Sequence, residues 1–110
     1  ILLNTRNEVL STHEIYVGNV NSSVVRPAEI FRPAVRNNAP SLIVVHNHPS
    51  GNPDPSDDDI AITEDLVASG KVLGIEVLDH LVIGSGDRYV SMNENGQGFS
   101  QTCAGPPVTR

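Results

Sequence analysis

Residues 41–55 constrain the chain more than any other stretch. Ser41-Leu42-Ile43-Val44-Val45-His46 is a short apolar run rich in β-branched residues, the mark of a strand buried in the middle of a sheet. It passes directly into Asn47-His48-Pro49-Ser50-Gly51-Asn52-Pro53-Asp54-Pro55, whose three prolines and one glycine permit only a loop. Ser56 to Ser69 returns to helical periodicity, with Ile60, Leu66 and Val67 on the apolar face and Gly70 as the expected C-terminal stop. Residues 75–83 are apolar again and read as a further strand.

The flanking segments extend this pattern. Ile1-Leu2-Leu3 reads as the tail of a strand, Asn4-Thr5-Arg6-Asn7 as a turn, and residues 8–17 as a second strand ending at Gly18, before a loop over Asn19 to Ser23. Pro27 suits the first turn of a helix, where its missing N–H costs nothing. Ile30, Phe31, Ala34 and Val35 follow at helical spacing, while Pro33 should kink or shorten that helix and Asn37-Asn38 before Pro40 should stop it. Gly84-Ser85-Gly86-Asp87 is a hairpin turn from which Arg88 to Met92 pairs back. The order strand, strand, helix, strand, helix, strand, strand predicts an α/β (α+β) domain with a mixed sheet. Residues 1–92 form that domain, expected to lack its N-terminal part because the chain opens inside a strand. Residues 93–110, poor in apolar side chains, read as a flexible tail.

Composition removes several functions. The formal net charge is −6 with a single lysine, so there is no strong nucleic-acid signature. No window approaches the ~18 apolar residues of a membrane span, and no basic segment followed by an apolar one marks a signal peptide. Cys103 is the only cysteine, so no intrachain disulfide can form, which suits a reducing, cytoplasmic setting.

The chemistry sits where the buried strand meets the loop. In an extended segment residues i and i+2 share a side, so His46 and His48 can converge on one ion. With Ser56 as N-cap, Asp59 falls in the first helical turn, where the helix dipole favours an ionised carboxylate. Ser56 can accept a backbone N–H and still keep its own proton to donate toward a developing oxyanion. The full spacing is His46-x-His48-x7-Ser56-x-x-Asp59. Two histidines and a carboxylate with an open fourth position are a catalytic zinc arrangement, and the ion lowers the pKa of a bound water from ~15.7 to about 7. Asp54, Asp57 and Asp58 read as a solvated loop and helix start. His80, next to Asp79 in a strand, reads as a structural histidine before a ligand, with a place behind the metal as the other option. His13 reads as an exposed strand residue, and Cys103 lies too far into the tail to bind the metal.

This pattern resembles the zinc signature of the JAMM (MPN+) metalloproteases. The longer string His46-Asn47-His48-Pro49-Ser50-Gly51 with Pro55-Ser56 and Asp59 is similar to the bacterial RadC branch, as are Leu73-Gly74-Ile75, Leu78-Asp79-His80 and Tyr89-Val90-Ser91. The resemblance covers roughly residues 1–92. It implies a RadC-like JAB/MPN domain: a curved mixed β-sheet with flanking helices in cytidine-deaminase-like layering. It also implies Zn2+ held by His46, His48 and Asp59, Ser56 as the catalytic hydroxyl, and a peptide or protein substrate cleaved at an amide. The literal letters at 46–48 are not the dispersed motif of HNH nucleases, which is spread over a ββα unit.

JAMM enzymes use a glutamate near the start of the domain as general base, and the resemblance places it upstream of Ile1. Glu14 and Glu29 are the possible stand-ins within this chain. The 110-residue chain is therefore expected to bind zinc and to be nearly inactive as a peptidase. The alternative is a RadC-like module associated with DNA repair, acting through protein partners with a non-catalytic metal site.

Overall fold

A computed structural model describes residues 1–16 and 25–99. It contains β1 (Leu2–Leu3), β2 (Val9–Ser11), α1 (Pro27–Arg36), β3 (Ser41–Asn47), α2 (Asp57–Leu73), β4 (Glu76–Ile83) and β5 (Tyr89–Ser91), the order of elements expected. One five-stranded sheet runs β2-β1-β3-β4-β5. β1 is antiparallel to both β2 and β3, β3 and β4 are parallel, and β4 and β5 are antiparallel, so the sheet is mixed. Parallel neighbours cannot be joined by a tight turn, and α2 makes the crossover between β3 and β4.

Both helices share one core with the sheet. Phe31 and Ala34 of α1 and Leu66 and Val67 of α2 pack with Leu2, Leu42, Val77, Val82 and Met92. The buried positions of α2, Asp59, Thr63, Leu66, Val67 and Gly70, recur at three and four residues and so form one face. That face carries apolar packing at its C-terminal half and polar groups at its N-terminal end, which brings Asp59 and Thr63 to the inside.

Several expectations need correction. The second strand covers Val9–Ser11, and residues 12–16 hold no ladder; residue 17 lies outside the described residues. Among the described residues its one neighbour is β1, two residues long with a register shift, which supports no longer strand. The predicted loop over 19–23 lies outside the described residues. β3 is central, yet Val45 is exposed, because that end of the strand borders a cavity. α1 passes through Pro33 and ends one turn later, where Asn37 donates from its side chain to the Pro33 carbonyl at 2.8 Å.

Gly70 is not the helix stop. α2 continues to Leu73, and Gly74 closes it in the left-handed conformation, φ 75°. Gly70 serves packing, since a Cβ there would lie 2.3 Å from the Ile75 carbonyl oxygen. Alanine favours helix over glycine, yet Gly70→Ala is expected to lower stability by about 1–3 kcal/mol through that clash. An unchanged or higher urea midpoint would contradict this.

The packed region also extends past residue 92. Residues 93–99, expected to belong to the tail, fold as turns and return Phe99 to the core at 5% exposure. The aromatic ring supplies burial that the surrounding polar residues conceal. Residues 100–110 lie outside the described region. Among the described residues no helix is long and apolar enough to cross a membrane.

Candidate metal centre

The parallel strand pair carries the first two side chains. His46 pairs with Val82 near the C-terminal end of β3. The chain then leaves the strand, but the His48 N–H still donates to the Ile83 carbonyl of β4 at 2.9 Å, which keeps the i, i+2 relation intact. The two rings lie 4.9 Å apart between centroids at an interplanar angle of 65°. The loop beyond is tied to the β4–β5 hairpin, where the Gly51 carbonyl accepts from the Ser85 N–H at 2.9 Å and from the Arg88 guanidinium.

Asp59 arrives from the first turn of α2, held by a reciprocal cap. Ser56 Oγ accepts from the Asp59 N–H at 3.1 Å, and the Ser56 N–H donates to Asp59 Oδ2 at 2.8 Å. This fixes the carboxylate against both rings: Oδ1 lies 3.0 Å from His46 Nε2, and Oδ2 lies 2.9 Å from His48 Nε2. One ligand atom from each of the three residues lies within 4.8 Å of the others. With bonds of about 2.0–2.1 Å, the ligands of a tetrahedral zinc stand roughly 3.3 Å apart, so a bound ion would draw the three side chains somewhat closer together.

Electrostatics point the same way. Burial alone would raise the Asp59 carboxyl, but the Ser56 N–H and hydroxyl and the two histidines outweigh it and hold it below the ordinary carboxylate range. Burial chiefly lowers His46, with the Asp59 charge opposing and His48 adding to the lowering, so the neutral ring that binds metal is favoured. His48 Nδ1 lies 2.8 Å from the Asn52 carbonyl, which can only accept. His48 Nδ1 thus donates to that carbonyl, which leaves Nε2 as the ring nitrogen directed at the Asp59 carboxylate. Two imidazoles with one carboxylate suit zinc among the divalent ions. The donor set fits the metal.

A cavity of about 670 Å³ opens over this cluster. His46, His48, Asp59 and Ser56 line it, as do Glu14 and the apolar side chains of Ile15, Val44 and Ile62. Of the two stand-in glutamates, Glu14 lines the cavity, whereas Glu29 accepts the Tyr16 hydroxyl. Asp54, Asp57 and Asp58 are exposed, as is His13, whose Nε2 lies 2.9 Å from Ser11 Oγ. Cys103 falls outside the described residues.

His80 is not one of the three, but it touches the cluster from behind. It is 2% exposed, its Nε2 lies 2.8 Å from His46 Nδ1, and its Nδ1 lies 2.5 Å from Thr63 Oγ1. Burial first, then the neighbouring His46, lowers its pKa to about 4, so it is neutral near pH 7. Thr63 carries one sequence signal, a hydroxyl residue four positions after Asp59 and hence on the same helix face.

Comparison with known proteins places these features in a family context. The model of the RadC-like JAB domain matches residues 1–97. A UPF0758 protein of Chloroflexus aurantiacus is 56% identical over 99 residues, covering 90% of this chain and 43% of the relative. A UPF0758 protein of Roseiflexus castenholzii is 52% identical over 99 residues, covering 90% of this chain and 42% of the relative. One from Bacillus pumilus is 51% identical over 96 residues, 87% of this chain and 42% of the relative. The chain thus spans less than half the length of these relatives.

Proposed function

The chain belongs to the RadC-like JAB domain family, and from that membership and the His46–His48–Asp59 geometry we propose that it is the metal-binding domain of a zinc-dependent hydrolase acting on a peptide or isopeptide-type amide. The observation that carries this proposal is the carboxylate of Asp59 set within 3.0 Å of both imidazole Nε2 atoms, at the wall of a cavity. His46, His48 and Asp59 would hold the ion, which would supply Lewis acidity toward a water and a substrate carbonyl.

The other residues have separable tasks. Ser56 accepts the Asp59 N–H with a lone pair and so keeps its proton to donate to the oxyanion that develops on the attacked carbonyl. A general base carries a proton from water to the leaving nitrogen, and within this chain Glu14 is a carboxylate at the cavity wall. An extended peptide can add to β2, which has no outer neighbour among the described residues and whose following residues His13 to Tyr16 line the cavity. The net charge of −6 argues against direct, phosphate-driven DNA binding; it does not bear on the alternative, a DNA-repair-associated module that acts through protein partners with a non-catalytic metal site.

The test uses the full-length protein and a library of peptide and isopeptide-linked substrates. Amide cleavage should be abolished by chelation and restored by zinc, and Ser56→Ala should lower kcat by about 10²–10³-fold. Cleavage indifferent to chelation, or a Ser56→Ala variant of full activity, would contradict the proposal.

A further inference from the structure

We propose that the β4–β5 hairpin is a clasp on the His48 loop, in which Ser85 and Arg88 hold the Gly51 carbonyl and thereby set the His48 ring toward Asp59. The inference rests on the metal site proposed above, and it makes Ser85 and Arg88 positioning residues that lie outside that site.

The loop from His48 to Asp54 is held by two kinds of bond. Those within it fix its shape: the Gly51 N–H donates to the His48 carbonyl at 2.9 Å, the Asp54 N–H donates to Asn52 Oδ1 at 3.0 Å, and the Asn52 carbonyl lies 2.8 Å from His48 Nδ1. The Asn52 carbonyl therefore sets the rotation of the His48 ring. None of these bonds fixes the loop relative to the sheet. Two attachments do so: the His48 N–H to the Ile83 carbonyl of β4, and the Gly51 carbonyl to the hairpin. The second is next in sequence to Asn52. The Gly51 carbonyl accepts from the Ser85 N–H at 2.9 Å and from the Arg88 guanidinium, two donors for its two lone pairs. The Ser85 hydroxyl stands 3.4 Å from the same oxygen, and the guanidinium also donates to Ser85 Oγ at 3.3 Å.

The approach is close enough to dictate residue types on both sides. A Cβ on Gly84 would stand 2.5 Å from the Gly51 carbonyl oxygen and 2.8 Å from Pro53 Cδ. Gly84 is not among the glycines of positive φ, so alanine suits its backbone and it is the loop that excludes a side chain. Across the contact, a Cβ on Gly51 would meet Ser85 Cβ and Oγ at 3.2 Å. Pro53 is buried there, whereas Arg88 is exposed, so replacing Arg88 leaves the core untouched.

The sign of the effect on zinc separates the clasp from simpler roles. A side chain that only stabilised the hairpin would change the unfolding midpoint and leave the affinity of the folded protein alone. Loss of the Arg88 charge by itself would tighten zinc binding, because a cation repels the ion. Loss of the clasp frees the Asn52 carbonyl and weakens binding. Removing a group that orients a ligating histidine costs about 10–100-fold in metal affinity.

The experiment is competitive zinc titration of the full-length protein as wild type, Arg88→Met, Arg88→Lys and Gly84→Ala, with amide hydrogen exchange at Gly51 and Ser85 measured in chelator. Arg88→Met should bind zinc about 10-fold more weakly and exchange both amides faster. Arg88→Lys, which keeps a cationic donor, should recover most of both losses. Gly84→Ala, which drives the Gly51 carbonyl away, should approach a loss of about 100-fold. An Arg88→Met protein, folded by circular dichroism, that binds zinc as tightly as wild type or more tightly overturns the clasp, whatever its exchange rates. A wild-type Ser85 amide that exchanges as fast as an unstructured one overturns it too. If the wild type takes up no zinc while the exchange rates behave as expected, the metal reading fails and the hold of the hairpin on the loop stands.

Discussion

Asp59→Asn is expected to weaken zinc binding by about 10²-fold or more while leaving the fold in place. Structural zinc sites with four ligands bind with roughly 10–16 kcal/mol, which is on the order of 3 kcal/mol per ligand. The substitution is informative because Asp59 does two things. Its carboxylate faces both imidazoles, and its Oδ2 accepts the Ser56 N–H at 2.8 Å to complete the cap of α2. An asparagine carbonyl oxygen can still accept that N–H, but it brings no charge and is a poor zinc ligand. The chelated variant should therefore unfold within ~1 kcal/mol of wild type, while its zinc isotherm moves by decades. Equal zinc affinity in the two chains would remove Asp59 from the site. A variant that fails to fold is distinguished by circular dichroism of the chelated sample.

The second large effect is acid sensitivity of the metal-free chain. His80 is buried with its pKa lowered to about 4, from an unfolded value near 6.5. Between those two values the unfolded state holds the extra proton, so stability rises with pH across that interval and is lost as pH falls through it. From pH 7 to pH 4 the loss attributable to this one side chain is about 3 kcal/mol. His46 is lowered as well and acts in the same direction, again mainly through burial. The Asp59 carboxyl, also lowered, contributes stability that disappears only at still lower pH, below the ordinary carboxylate range. Urea unfolding of the chelated chain at pH 7, 5.5 and 4 should show a steep decline. His80→Gln, less stable at neutral pH because the buried contacts of His80 with Thr63 and His46 are disturbed, should show a clearly shallower one. Equal stability of the wild type at pH 7 and pH 4, or the same slope in His80→Gln, would contradict burial of a neutral His80.

Most of the architecture was legible because it rests on local signals. The run from Ser41 to His46, the proline-rich loop and the acidic start of α2 each declare themselves within a few residues, and together they bring His46, His48 and Asp59 to one place. What was not legible depends on contacts distant in sequence. Gly70 and Gly74 look alike as letters; only the Ile75 carbonyl, packed back against the helix, shows that Gly70 provides space and Gly74 provides the left-handed turn. The β-branched residues near Val9 suggested a long strand, but the length of a strand is set by its neighbour, and β1 offers two residues. Phe99 sits among glycines and polar residues, so its burial could be found only from the core that it completes. Thr63 and His80 are 17 residues apart on different elements and meet only because α2 crosses over β4.

X-ray absorption spectroscopy of the zinc-loaded chain tests the metal site most directly, since it reads the ligands themselves. The expected spectrum has a single shell of nitrogen and oxygen at about 2.0–2.1 Å, with the outer-shell scattering of two imidazole rings, His46 and His48, and that imidazole signal should weaken in His48→Ala. A sulfur shell at about 2.3 Å, or zinc bound without imidazole scattering, would contradict a centre built from His46, His48 and Asp59.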